Sequence, residues 1–226
     1  MEVAKSDESL PKRDELFLES KVWPTELGFV PTSDAIETSL EHLNTNYIDL
    51  YMLHWPECNP EIEWMHCHDT VDPHGTWRES WRALERAYAE GRVHSIGVSN
   101  FNVHLLDELY EMAVVKPHVV QNFAQPGEVD KDVRDWCALH EVLYQPYASI
   151  RNLDFLPEDV SNALRRMGAD RNVSPHSVAI RFFLQSGAGV IPRSRQEGHL
   201  RENMEAFNYE LSADEMRELG WHENEL

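Results

Sequence analysis

The chain has 226 residues, 42% of them hydrophobic, which is enough to bury a core of domain size, and residues 1–226 are expected to form a single domain. Forty acidic against twenty basic residues give a formal net charge of -20, which repels phosphate backbones and anionic lipid and argues against nucleic acid or a membrane surface as partner. No apolar run approaches the ~18 residues of a membrane span, and the opening MEVAKSDESLPK is too polar for a secretory signal, so the chain reads as cytoplasmic.

Cys58, Cys67 and Cys137 are odd in number and scattered, which speaks against a disulfide framework and agrees with a reducing compartment. In chain order, LFLES (16–20) predicts a short strand, and SDAIETSLEHLN (33–44) places Ala35, Ile36, Ser39, Leu40 and Leu43 on one helical face. YIDLYML (47–53) is the next strand. TWRESWRALERAYAEG then sets Trp77, Trp81, Leu84 and Tyr88 in one stripe, stopped by Gly91. HSIGVS (94–99) leads into a helix with Asn102 as N-cap and Leu105, Leu106, Leu109 and Met112 inward. HVVQNF and DKDVRDWCALH form a fourth pair. EVLYQPY is followed by helices over 158–168 and 174–185, the second opened by Ser174 and Pro175. AGVIPRS precedes EGHLRENMEAF, and SADE (212–215) has the spacing of a capping box.

Six strand-plus-helix units in series predict parallel strands, because only a crossover helix returns the chain to the same edge of a sheet. The class is therefore α/β, either a doubly wound open sheet or a (β/α) barrel. No glycine-rich dinucleotide turn follows the first strand, which favours the barrel, although six units are two short of eight. In such a fold, chemistry lies at the carboxyl ends of the strands. Lys21 and His54 occupy those ends on consecutive strands, ~4.8 Å apart if the strands are neighbours. Neither residue alone separates a functional from a structural side chain; the pair does. His54, Met52 and Leu50 share one face of their strand, so Tyr51 is expected to face the helix layer. Glu19 shares parity with Lys21 and is expected either to be hydrated or to pair with it.

The motifs ESKVW, YIDLYMLHWP, EGRVHSIGVSNF, QPY and VIPRS...HLRENM, in this order and spacing, resemble the aldo-keto reductases. The resemblance runs from about Leu16 to Leu219 and implies an NADP-dependent (β/α)8 barrel that reduces a small-molecule aldehyde or ketone. It places Lys21 and His54 in a catalytic tetrad whose other members are a tyrosine acid and an aspartate. Ser99, Asn100 and Gln121 resemble the groups that hold the nicotinamide carboxamide, and Tyr147 the aromatic on which the nicotinamide stacks. Arg193 and Ser194 resemble the contacts to the 2′-phosphate, and Glu202 and Asn203 those to adenine.

Departures from the family pattern carry expectations of their own. His199 stands where the family usually has a second phosphate-binding arginine, for which Arg195 or Arg201 could substitute, and ASIRNLD replaces the usual Ser-Pro-Leu-Gly run after Tyr147. The family's first two strands and first helix, which carry the aspartate and the tyrosine, find no match in the chain. The expected fold is thus a barrel shortened at its amino end to about six units, with feeble carbonyl reduction for want of the acid. The alternative is a non-catalytic descendant that binds NADP or a protein partner. A third reading, a zinc module, comes from CNPEIEWMHCHD, which gathers Cys58, His66, Cys67, His68 and Asp69, but successive side chains at 66, 67 and 68 diverge. As a loop the same stretch would lie, by the resemblance, over the substrate mouth, with Trp23, Trp55 and Trp64 lining an aromatic pocket.

Overall fold

The alternating stretches ESKV and LYML form the parallel pair β1 (Glu19–Val22) and β2 (Leu50–Leu53), with Glu19 opposite Leu50, Lys21 opposite Met52 and Val22 opposite Leu53. The structure, a computed structural model, describes residues 11–67, 75–151 and 153–221. Its chain divides into two compact units. One holds the residues up to Ser99 with Glu108–His118, and the other holds Asn100–Asp107 with the chain from Val119 onward.

In the first unit β2 also pairs in parallel with β3 (Ile96–Ser99), so the strands follow chain order with none of the reversal that marks a doubly wound sheet. All four residues of β2 and of β3 are buried, as expected where helices cover a parallel sheet. Tyr51 points toward α1 (Phe29–Leu43), its hydroxyl 2.8 Å from Ser39 Oγ and 3.2 Å from the Ala35 carbonyl oxygen. The helix begins at Phe29, four residues before the expected start. Pro31 is accommodated because its missing N–H falls in the first turn, where no intrahelical acceptor exists. Ala35, Ile36 and Leu40 are buried, whereas Leu43 is exposed at the helix end. The α2 helix (Trp77–Ala89) is closed at its start by a capping box between Thr76 and Glu79 and buries Trp77, Trp81 and Leu84.

In the second unit β4 (Val119–Gln121) pairs in parallel with β5 (Leu143–Tyr144). The helix α3 (Val103–Met112), whose residues up to Asp107 belong to this unit and the rest to the first, is capped by Asn102, whose Oδ1 accepts the Leu105 N–H at 3.0 Å, and α4 (Lys131–Leu139) links β4 and β5. Ser174 caps α6 (Pro175–Gln185), which packs on α5 (Glu158–Arg171), while Ser212 and Glu215 form the expected capping box of α8 (Ala213–Glu218). The α7 helix spans Glu197–Met204. Five parallel strands are present among the described residues, not six. AGVIPRS makes a ladder-like bond from Gly189 N–H to the Tyr144 carbonyl at 3.0 Å but no regular strand, because one bond does not build a ladder. Among the described residues no helix is long and apolar enough to cross a membrane.

Ser80 ties the start of α1 to α2. It is fully buried, accepting the Gly28 N–H at 2.7 Å and the Thr32 hydroxyl at 2.9 Å. Ser80→Ala leaves the Gly28 N–H without that acceptor, while the Thr32 hydroxyl keeps the Glu26 carbonyl at 2.8 Å, and the expected loss is about 1–3 kcal/mol, read as a lower urea midpoint with an unchanged m-value.

Candidate functional site

In the first unit the register delivers Lys21 on β1 and His54 immediately after β2 to the same end of the sheet, the His54 N–H donating to the Val22 carbonyl at 3.1 Å. Lys21 Nζ lies 3.8 Å from Glu19 Oε1, a loose ion pair between two mostly buried side chains, so the second of the two expectations for Glu19 holds. Burial lowers the Lys21 pKa, against the opposing pull of Glu19. Burial, with the neighbouring Lys21 charge, lowers His54 to about 4, so the imidazole is neutral at physiological pH.

Trp23 meets His54 edge-on with ring centroids 5.1 Å apart, and its indole N–H donates to the Met65 carbonyl at 3.2 Å. Trp64 stands 5.9 Å from Trp23 and 5.8 Å from Trp55, so the expected aromatic group does assemble beside His54. Trp55 Nε1 is buried without a hydrogen-bond partner. The loop carrying Trp64 is closed by a disulfide between Cys58 and Cys67, which corrects the expectation of unpaired cysteines. A turn at Asn59 and a short 3-10 helix over Glu63–Met65 bring the two Cα atoms to 5.6 Å, within bridging reach despite only nine residues of separation. Pairing also removes both thiols from the suggested zinc set, of which His68 and Asp69 lie outside the described residues. Among the described residues no cluster of three or more potential ligands is placed to hold a metal.

In the second unit a cavity of about 580 Å³ is lined by Tyr147, Arg193, Ser194, Glu202 and Asn203. Five of the seven candidate cofactor residues in this unit therefore share one recess. Asn203 is buried, and its Nδ2 has no hydrogen-bond partner. Of the other two, Asn100 is joined to Tyr147 by a 2.8 Å bond from the tyrosine hydroxyl to Asn100 Oδ1, and its own N–H reaches the Gln121 carbonyl at 3.2 Å. The buried Gln121 amide donates to Gln145 Oε1 at 2.5 Å. Ser99, at the end of β3 in the first unit, is buried.

Arg151 and His176 also line the cavity, as does His199. Sequence reasoning missed the first two. The arginine within ASIRNLD was their one legible signal, a cation where the family has a neutral run. Arg195 is not among the lining residues, and Arg201 pairs with Glu197 one helical turn away.

The depressed His54 pKa couples stability to pH. The unfolded chain takes up a proton near 6.5 and the folded chain only near 4, so stability is fully present above 6.5 and falls as pH drops from 6.5 through 4. His54→Gln removes this component, and the gap between its urea midpoint and that of the wild type should change across that window and level off outside it.

Residues 2–223 match the Aldo/keto reductase family. The chain is 35% identical over 209 residues to glyoxal reductase of Bacillus subtilis, covering 92% of this chain and 69% of that protein. Its fold matches an aldo/keto reductase from Brucella melitensis with a TM-score of 0.79 at 28% identity, over 92% of this chain and 74% of that one. A variant of Gox0644 solved in complex with NADPH gives a TM-score of 0.77 at 29% identity, over 92% and 70% of the respective chains. The ordered parallel β/α units, the strand-end Lys21 and His54, and these likenesses agree: the chain belongs to the aldo/keto reductase family and has its TIM-type α/β fold.

Proposed function

We propose that the chain is an NADP-dependent oxidoreductase acting on a small aldehyde or ketone, with Lys21 and His54 as its catalytic residues. The cavity that gathers Tyr147, Arg193, Ser194, Glu202 and Asn203 carries this reading. The residues there fit the cofactor. An unpartnered buried amide nitrogen on Asn203 suits a purine acceptor, and Arg193 and Arg151 supply positive charge for phosphates in a protein of net charge -20.

When bound, the cofactor's chemistry is hydride donation to a carbonyl carbon. Arg193 and Ser194 bind the 2′-phosphate, and Glu202 with Asn203 the adenine. Tyr147 offers its ring face to the nicotinamide, while Ser99, Asn100 and Gln121 orient the carboxamide. His54, neutral because of burial and Lys21, donates an N–H to the carbonyl oxygen without first losing a charge. Trp23 and Trp55 form the apolar wall for the substrate. Similarity to glyoxal reductase favours a small reactive carbonyl compound.

The alternative reading is an NADP-binding protein with little turnover. In either case nicotinamide fluorescence should show saturable NADPH binding. Arg193→Ala should weaken NADPH by about tenfold, the lower end for a charge-assisted bond at an exposed side chain, and NADH by much less. Equal losses would overturn the 2′-phosphate assignment.

Steady-state NADPH oxidation with glyoxal or a substituted benzaldehyde separates the two readings. If no residue outside positions 1–226 supplies the acid, turnover should be near background and His54→Ala should alter little. Joining the family's strand, helix and strand that bear the tyrosine and aspartate should raise the rate by about 10²–10⁴ and make it depend on His54. Robust turnover by the chain alone, lost in His54→Ala, would mean that another residue supplies the proton.

A further inference from the structure

Behind the residues expected at the nicotinamide lies a relay of buried polar groups, all within the second unit. The Asn122 side chain is its hub. Asn122 Oδ1 accepts the Asn100 N–H at 2.8 Å, and Nδ2 donates to the Phe101 carbonyl at 2.9 Å and to Asp130 Oδ2 at 3.1 Å. Asp130 Oδ2 also accepts the Tyr144 hydroxyl at 3.0 Å. At the other end the Tyr147 hydroxyl donates to Asn100 Oδ1 at 2.8 Å.

Two features set the relay apart from ordinary core packing. Asp130 occupies the N-cap position of α4 but makes no side-chain cap bond; its carboxylate is turned away from the helix and toward Asn122 and Tyr144. Backbone strain is also concentrated along it. Asn100 has φ 63°, Asp130 has φ 49°, and Ala148, next to Tyr147, has φ 59°. Left-handed non-glycine residues persist only where their surroundings over-determine them. For Asn100 the determining bonds are those from its N–H to the Gln121 carbonyl and to Asn122 Oδ1.

We propose that Asp130 is a positioning residue for the nicotinamide end of the cofactor site, acting through Asn122 to hold Asn100 in the left-handed conformation that presents its amide and anchors Tyr147. The proposal rests on the reading above that Asn100 and Tyr147 meet the nicotinamide. Without the carboxylate, an Asn122 N–H and the buried Tyr144 hydroxyl both lose their acceptor. Asn122 is then held only by Phe101 and Asn100, and its rotation releases the Asn100 backbone. Because Oδ2 takes both bonds, a carboxamide oxygen can replace it. Acceptor geometry, not charge, is what the relay requires.

The test compares NADPH with adenosine 2′,5′-bisphosphate, which reaches only the adenosine end of the site, by fluorescence and calorimetric titration. Asp130→Ala should weaken NADPH tenfold or more and leave the bisphosphate within about twofold of wild type, a split that general loosening of the fold would not produce. Asp130→Asn should restore NADPH to within about threefold. Asn122→Val cuts the same link from the other side and should reproduce the selective loss, which keeps the proposal testable if Asp130→Ala fails to fold. NADPH affinity unchanged in Asn122→Val, equal losses of both ligands, or an Asp130→Asn variant as weak as Asp130→Ala would each overturn it. A wild-type chain that takes up the bisphosphate but not NADPH, or neither, overturns instead the cofactor reading on which the proposal stands.

Discussion

The parallel register of β1 and β2 is the constraint from which the first unit follows. With Lys21 opposite Met52 and the His54 N–H on the Val22 carbonyl, the strands cannot slip by one residue without sending every side chain to the other face. Parallel pairing also forces the chain to return through α1, and that helix claims the Tyr51 hydroxyl through Ser39 and Ala35. One geometric rule thus brings two basic groups to the same sheet end and removes the nearest tyrosine from their company. The proximity of Lys21 then acts on His54, reinforcing burial in keeping the imidazole neutral.

Electrostatics in this chain are local. A net charge of -20 would repel a dinucleotide phosphate at long range, yet Arg151 and Arg193 line one recess against the single carboxylate of Glu202, and within a Debye length of ~8–10 Å these near charges count for more than the distant carboxylates. Many of the acidic residues are spent on the surface in short-range pairs such as Arg201 with Glu197 or Arg166 with Glu218. Exposed pairs of this kind contribute little to stability. Arg193 and Arg151 are the arginines lining the recess.

The second unit is organised by carboxamides. Gln121 with Gln145, and Asn122 with Asn100, Phe101 and Asp130, consume buried donors and acceptors almost completely, as a low-dielectric interior demands. Against that background Asn203 Nδ2 stands out, a buried donor with no partner at the wall of the cavity. The contrast is informative because unsatisfied buried donors are costly, and a ligand acceptor is one way in which such a cost is offset. In the first unit Trp55 Nε1, Trp81 Nε1 and Arg92 Nε are such groups, the first of them beside an aromatic cluster braced by the Cys58–Cys67 bridge.

The local features of this protein were written in its sequence. Helix caps at Asn102, Ser174 and Ser212 depend on contacts three residues away, and the inward faces of α1 and α2 depend on a 3.6-residue period, so both could be read directly. Strand parity placed Tyr51 toward the helices for the same reason. Family motifs carried the wider site, and five of the residues they singled out line one cavity. What escaped the sequence was decided by contacts between distant segments. AGVIPRS has the composition of a strand, but only one of its N–H groups finds the β5 ladder. Cys58 and Cys67 look unrelated until a turn folds one onto the other. Arg151 enters the cavity, and Asp130 abandons its helix to support Asn122, because tertiary packing supplies partners that no periodicity encodes. Short-range geometry is a property of the chain; which buried polar groups find each other is a property of the fold.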